Sequence, residues 1–140
     1  MLINKSNISA LYTNEAHIHD HFAHSLEFFC EQRNIKLRMS AGINEEHTYC
    51  IDFVDVIGFF GTSCSFWGGP VGRVIDFGHL TGDEQKIIPN LERKWENTPK
   101  PHWSTDDYEN YIEVILTFSS GVELAIACKQ IEISGIGRIK

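Results

Sequence analysis

Three histidines near the amino end are the residues whose type and spacing best suit chemistry. His17, His19 and His21 alternate along the chain, so on a β-strand their side chains lie on one face. Neutral imidazoles spaced in this way can coordinate a first-row transition metal. The same segment also suits a polar approach to the first strand, which is the interpretation that we favour because this spacing alone has low specificity. We predict that no metal is bound, and keep a site formed by His17, His19 and His21 as the alternative.

The other reactive groups do not form a recognised catalytic motif. Ser63, Asp76 and His79 are close in sequence, but no nucleophile elbow or other signature surrounds the serine. The glycine-rich stretch 68–73 lacks the Lys-Ser/Thr of a phosphate-binding loop. We therefore predict a protein that is not an enzyme and needs no cofactor.

The four cysteines show no Cys-x-x-Cys pair and no zinc-type spacing. Cys30, Cys50 and Cys128 fall within strand-like segments, where a thiol packs as a small apolar side chain. We predict that these three lie in the core. The amino-terminal residues contain no apolar run long enough for a signal peptide or a membrane helix. We expect a cytoplasmic protein that does not contact a membrane.

The acidic balance argues against nucleic-acid binding. The chain has 140 residues and 19 acidic against 12 basic side chains, which gives a net charge of −7 and a pI near 5.4. Domains that bind nucleic acids are usually basic, because they must neutralise phosphates. The length and the 42% hydrophobic content predict one globular domain, residues 1–140.

Two regions of the chain are acidic. The stretch from Met39 to Gly72 contains no lysine or arginine, and in the second region, residues 103–111, carboxylates alternate with aromatic side chains. Charges steer a basic partner, and rings supply apolar contact area. The alternative is a solvated loop whose rings fold onto the sheet. The predicted contact patch is Trp103, Asp106, Asp107, Tyr108, Glu109 and Tyr111.

Two hairpins are evident from period-2 alternation of apolar residues. The first joins the stretches 22–30 and 35–39, and we predict Cys30 opposite Ile35 with a loop over 31–34. The second joins 112–118 to 122–128.

In the second hairpin the apolar sets meet when Phe118 faces Val122 and Ile112 faces Cys128. Gly121 stands where a three-residue loop favours a positive φ. Since Ile115 and Ala125 then share the reverse face, we expect something to cover that face.

Further strands are predicted over 47–53 and 73–77. A capping box at 81–84 precedes helical spacing of apolar residues, and Pro89 either kinks this helix or marks its start. Together these elements predict a mainly β protein, an antiparallel sheet or sandwich of about six to seven strands with one short helix.

Several segments together resemble small β-rich immunity proteins of bacterial toxin systems, including contact-dependent inhibition. These are His19-Asp-His-Phe-Ala-His-Ser-Leu-Glu-Phe28, Ile51-Asp-Phe53, the stretch 115–126 and Ile131-Glu-Ile133. The resemblance implies a non-catalytic protein that neutralises a cognate toxin domain by binding it. Acidic charge suits a toxin that is a basic nuclease.

The His-x-His spacing also resembles that of cupins, small β-barrel proteins, although no glutamate follows at the cupin interval. The alternative function is therefore a small metal-dependent β-fold enzyme that uses the N-terminal histidines. A third hypothesis is a homodimer formed through an exposed sheet edge.

Overall fold

The computed structural model describes residues 1–11, 21–40, 48–61, 73–96, 98–99 and 108–136. These residues form nine strands and one α-helix, which is the mainly β architecture that the sequence predicts, with more strands than the six or seven expected. The strands are β1 Leu2–Asn4, β2 Phe22–Phe29, β3 Asn34–Ser40, β4 Thr48–Val54, β5 Gly58–Gly61, β6 Val74–Leu80, β7 Ile112–Phe118, β8 Glu123–Cys128 and β9 Gln130–Ile136; the helix is α1, Ile88–Glu96.

The strands form two antiparallel sheets. The first sheet has the order β1-β9-β4-β3-β2, and the second has the order β5-β8-β7-β6. The chain passes between the sheets where β8 leads into β9 through Lys129 alone. The strand predicted over 47–53 is β4, at the centre of the first sheet, and the strand predicted over 73–77 extends to Leu80 as β6.

The core lies between the facing sides of the two sheets. Phe53 from β4 and Phe77 from β6 are both fully buried, and their rings meet edge to face with centroids 6.3 Å apart. Such aromatic pairs add stabilisation beyond the apolar area that they bury. Apolar side chains from β3, β7 and β8 complete this cluster. The two sheets therefore form a sandwich, one of the two architectures predicted.

β2 runs across the second sheet instead of along it. Near its start Phe22 forms an isolated bridge with Arg73, beside β6, and near its end the Phe28 ring contacts Phe59 on β5. Since β5 and β6 are opposite edges of the second sheet, one edge strand of the first sheet reaches both of them. This crossing closes part of the sandwich at its rim.

The second hairpin is confirmed in every predicted pair. Ile112 lies opposite Cys128, and the amide of Phe118 donates to the carbonyl of Val122 at 2.9 Å. Gly121 has φ +90°, a conformation that side chains with a Cβ rarely adopt. The expected cover on the reverse face is also present, because α1 packs there against Ala125.

The first hairpin forms in a different register from the one predicted. Ile35 lies opposite Phe28 rather than Cys30, and the loop is 30–33 instead of 31–34. The left-handed residue is Arg33, with φ 56°. A two-residue shift keeps Leu26 and Phe28 on their predicted face, so alternation alone cannot distinguish the two registers.

Glu27 and Arg38, which the predicted register places opposite each other, still form an ion pair at 2.7 Å. The contact is diagonal, because the residue directly across from Glu27 is Lys36.

The cysteine prediction holds for two of the three residues. Cys50 and Cys128 are buried, but Cys30 is exposed. The prediction for Cys30 was wrong because the hairpin turn begins at this residue, so its side chain leaves the sheet. Burial raises the pKa of the Cys128 thiol to about 12.

Helix α1 covers the outer face of the second sheet. It begins at Ile88 with Pro89 in its first turn, where the missing N–H of proline has no cost. Gly58 permits a close approach, since a Cβ there would lie 2.6 Å from Cγ2 of Ile87. The carboxylate of Glu113, fully buried on β7, accepts the backbone N–H groups of residues 86–88 at the helix start. The negative carboxylate of Glu113 lies at the positive end of the helix dipole and so fixes the helix to the sheet.

Candidate functional site

Four exposed phenylalanines are the most conspicuous surface feature of the described residues. Phe28 and Phe29 end β2, and Phe59 and Phe60 lie on β5. Their exposed fractions are 45%, 38%, 54% and 50% in that order. We call these four residues the phenylalanine patch. Exposed apolar side chains concentrated on neighbouring edge strands of a small protein are typical of an interaction site.

Strand position explains why these rings stay exposed. Phe28 lies opposite Ile35 and Phe59 lies opposite Ile126, so both point toward the inner side of their sheets. Each sits on a strand that pairs on one side only among the described elements, so no described strand covers the outer flank of the ring. The Phe28 and Phe59 ring centroids are 4.9 Å apart. The two rings together bridge the sheets at the rim of the sandwich.

The other two rings of the patch lie on outer faces. Phe29 is on the outer face of the first sheet, where the Nζ of Lys36 lies 5.7 Å from its ring centroid. Phe60 lies opposite Ala125, on the face that α1 covers. Each phenylalanine doublet therefore places one ring on each side of its strand.

A groove of about 430 Å³ runs beside β5, between that strand and α1. Ile57, Phe60 and Leu91 supply apolar surface along it. Lys86 and Lys94 also line it, so two ammonium groups border an apolar floor. The groove size is within the range of ligand-sized clefts.

The predicted acidic patch is described only in part. Trp103, Asp106 and Asp107 lie outside the described residues. Tyr111 is 8% exposed and packs in the cluster under α1, and Tyr108 is partly buried against the same cluster. The two tyrosine rings meet edge to face at 6.1 Å. The ring of Tyr111 therefore contributes to the fold and offers little area to a partner.

Glu109 is the exposed carboxylate of this segment. Its backbone carbonyl accepts a hydrogen bond from Lys5 Nζ, which ties the turn before β7 to the amino-terminal segment. Burial is the main cause that raises the pKa of the Tyr111 hydroxyl, with the charge of Asp55 second. Of the predicted contact patch, Glu109 is the described residue that faces solvent most openly.

The histidine cluster is also described only in part. His17 and His19 lie outside the described residues. His21 is 9% exposed, and its ring meets Tyr49 edge to face at 4.5 Å. Neither ring nitrogen of His21 has a hydrogen-bond partner among the described residues. No group of three metal-binding side chains occurs within the described ranges.

The remaining predicted groups do not converge. Asp76 lies opposite Thr117 and His79 opposite Val114, so they project from different faces of β6. Ser63 lies outside the described residues. Burial lowers the pKa of the His79 imidazole.

No known protein family, curated protein or solved structure matches this chain. Among the described residues, no helix has the length and apolar character needed to cross a lipid bilayer.

Proposed function

We propose that this protein is a non-catalytic binding protein that neutralises a cognate bacterial toxin domain by direct contact, in the manner of an immunity protein. The observation that carries the proposal is the phenylalanine patch, four rings between 38% and 54% exposed at neighbouring sheet edges. Phenylalanine is enriched in the cores of protein interfaces. The proposal includes a cytoplasmic location, where an intracellular toxin would act.

The energetics of the patch suit a partner. Fully burying a phenylalanine side chain contributes roughly 1.5 to 3 kcal/mol relative to leaving it exposed. About half of that remains to be gained at Phe28, Phe59 and Phe60, because each is near half exposed. Since the Phe28 and Phe59 rings already contact each other, little ordering is needed before they bind. A preformed aromatic pair of this kind is well placed to anchor an interface.

The negative charge of this chain favours a basic toxin, such as a nuclease, as the partner. The net charge of −7 attracts a basic partner and speeds encounter. Glu109 is an exposed carboxylate that can contact the toxin's phosphate-binding site, and the neighbouring predicted contacts Trp103, Asp106 and Asp107 lie outside the described residues. In this account the acidic segment steers the toxin and the phenylalanine patch holds it.

A co-expression assay tests the proposal. A candidate cognate toxin domain, sought in the coding sequence immediately upstream, is induced in bacteria together with the wild-type chain or with Phe28→Ser/Phe59→Ser. The matched control is Ile75→Ser, since Ile75 is a similarly exposed apolar residue (42%) on β6, the opposite edge of the second sheet. We expect the wild type and the control to protect the cells and the double variant to fail. Cells that die equally with all three proteins would contradict the proposal.

One observation favours the alternative, a metal-dependent enzyme. The buried ring nitrogens of His21 lack protein partners among the described residues, and a metal held with His17 and His19 would satisfy one of them. Elemental analysis of protein purified without chelators tests this. Stoichiometric zinc, iron or manganese that disappears in His17→Ala/His19→Ala would favour the enzyme, whereas metal-free protein would leave the binding function.

A further inference from the structure

We infer that the groove beside β5 binds an extended apolar segment of the partner that carries carboxylates, and that this segment adds to β5 as a new strand. The inference rests on the proposed binding function and names the chemistry of one contact. Three observations carry it: the edge of β5, which pairs on one side only among the described strands, the apolar floor of the groove, and the lysines along it.

The first observation is the edge itself. β5 pairs with β8 on one side, and it is the terminal strand of its sheet among the described elements. Its sequence, Gly58 to Gly61, contains no lysine and no proline, the residues that usually protect an edge from further pairing. An extended segment can pair with such an edge through its main chain.

The second observation is apolar surface on both sides of that edge. Phe60 and Leu91 lie on the side of α1, and Phe59 lies on the other side against Phe28. Alternate side chains of an added strand would meet these two surfaces in turn. An alternating apolar segment therefore fits the site better than a helix, which would reach only one side.

The third observation is charge. Lys86 and Lys94 line the groove, and none of its described lining residues is acidic. Lys94 Nζ lies 5.1 Å from the Trp95 ring centroid, which holds this ammonium near the helix surface. In a chain of net charge −7 this is a local basic site. It selects carboxylates at the ends of the bound segment.

A second copy of this chain fits less well. Pairing β5 with its own copy about a two-fold axis would continue the second sheet and place the two α1 helices on the same face. Lys94 of each copy would then lie near the lysines of the other, and like charges would oppose the contact. A partner segment with carboxylates meets no such repulsion.

Synthetic peptides test the inference. The probe is a peptide of about seven residues that alternates valine with threonine and has a glutamate at each end; the comparison peptide carries lysines instead. We expect the wild type to bind the glutamate peptide about tenfold more tightly than the lysine peptide, since each exposed ion pair contributes about twofold to fivefold. Lys86→Glu/Lys94→Glu should reverse the preference. Lys129→Glu, an exposed lysine after β8, is the matched control and should leave it unchanged.

Amide hydrogen exchange locates the peptide. Bound glutamate peptide should slow exchange of the β5 amides, and Phe60→Ser should abolish both the binding and the protection. Equal affinity for the two peptides, or protection elsewhere but not at β5, would overturn the inference. So would light scattering that shows a dimer of the free wild type which Phe60→Ser dissociates.

The outcomes separate the inference from the proposed function. If the toxin domain binds the wild type and the Lys86→Glu/Lys94→Glu variant with equal affinity, the groove is not the contact and the binding function stands. If the peptides behave as expected and the toxin domain does not bind, the strand-addition site stands and the toxin partner is wrong.

Discussion

Replacing Glu113 by glutamine tests how the helix is held on the sheet. Glu113 lies on β7 and is fully buried. Its Oε2 accepts the amides of Lys86 and Ile87 at 2.5 and 2.9 Å, and its Oε1 accepts the amide of Ile88 at 3.1 Å. These are N–H groups at the start of α1, which have no partner within the helix. A carboxylate from a strand therefore replaces the usual cap.

The magnitude follows from these bonds. A hydrogen bond to a charged acceptor contributes about 1.5 to 3 kcal/mol, and a buried donor left without a partner costs about 1 to 3 kcal/mol. The amide of Glu113→Gln keeps one accepting oxygen and turns an –NH2 toward the helix amides, so the bonds are lost only in part. We expect the free energy of unfolding to fall by about 2 to 4 kcal/mol, a large share of the roughly 5 to 15 kcal/mol typical of a domain.

Urea denaturation followed by circular dichroism measures this loss, and amide hydrogen exchange at Lys86, Ile87 and Ile88 localises it. The control is Glu132→Gln, an exposed carboxylate on β9, which should change stability by less than about 0.5 kcal/mol. If Glu113→Gln were as stable as the wild type and its helix amides remained protected, the carboxylate would not be what fixes the helix.

Three other perturbations have defined outcomes. Iodoacetamide at pH 8 should modify exposed Cys30 and spare Cys128 until unfolding, because burial raises the Cys128 pKa to about 12; peptide mass spectrometry reads this out. Burial raises the pKa of Asp52 above 3.8, with Glu132 adding to the effect. Since the folded state then binds the proton more tightly, stability declines as pH rises through that pKa. Asp52→Asn should therefore be more stable than the wild type at pH 7 and close to it at pH 3, as urea titrations at both values would measure. Phe77→Ala should lose about 3 to 5 kcal/mol in a urea titration, whereas exposed Phe59→Ala should lose less than about 1 kcal/mol.

The second hairpin could be predicted residue by residue for a physical reason. Its two apolar sets meet when Ile112 faces Cys128, and that register, unlike one shifted by two residues, leaves Gly121 at the loop position with positive φ. Alternation and turn chemistry therefore agree on one answer. For the helix, Pro89 left two alternatives, a kink or a start near this residue, and the observed start at Ile88 is the second of them, since proline fits a first turn and disrupts an interior.

The first hairpin shows where alternation stops being informative. Treating Cys30 as a core residue set the predicted register, and a slip of two residues preserves every face. The observed register depends on Arg33 adopting the left-handed conformation, for which asparagine at position 34 was the better prior candidate. A bulge between Ala23 and Ser25 also interrupts the alternation along β2 and places Ala23, in addition to Leu26, toward the core.

The phenylalanine patch could not be predicted from the local sequence pattern, because the exposure of these rings depends on which strands lie at the edges of the two sheets. The doublets Phe28-Phe29 and Phe59-Phe60 did carry a usable signal. Two consecutive aromatic residues on a strand place one ring on each face, so a strand covered on one face must expose one of them. The burial of Tyr111 could not be predicted from the sequence either, because it depends on α1 covering the outer face of the second sheet.

Calorimetric titration of a candidate cognate toxin domain into the wild-type protein and into Phe28→Ser/Phe59→Ser tests the central claim most directly. Both rings are near half exposed, so circular dichroism should show that the double variant folds. We predict a one-to-one complex with the wild type and an affinity at least about tenfold lower for the variant, the loss expected when an interface anchor is removed. No heat with the wild type, or equal affinities for the two proteins, would contradict the account.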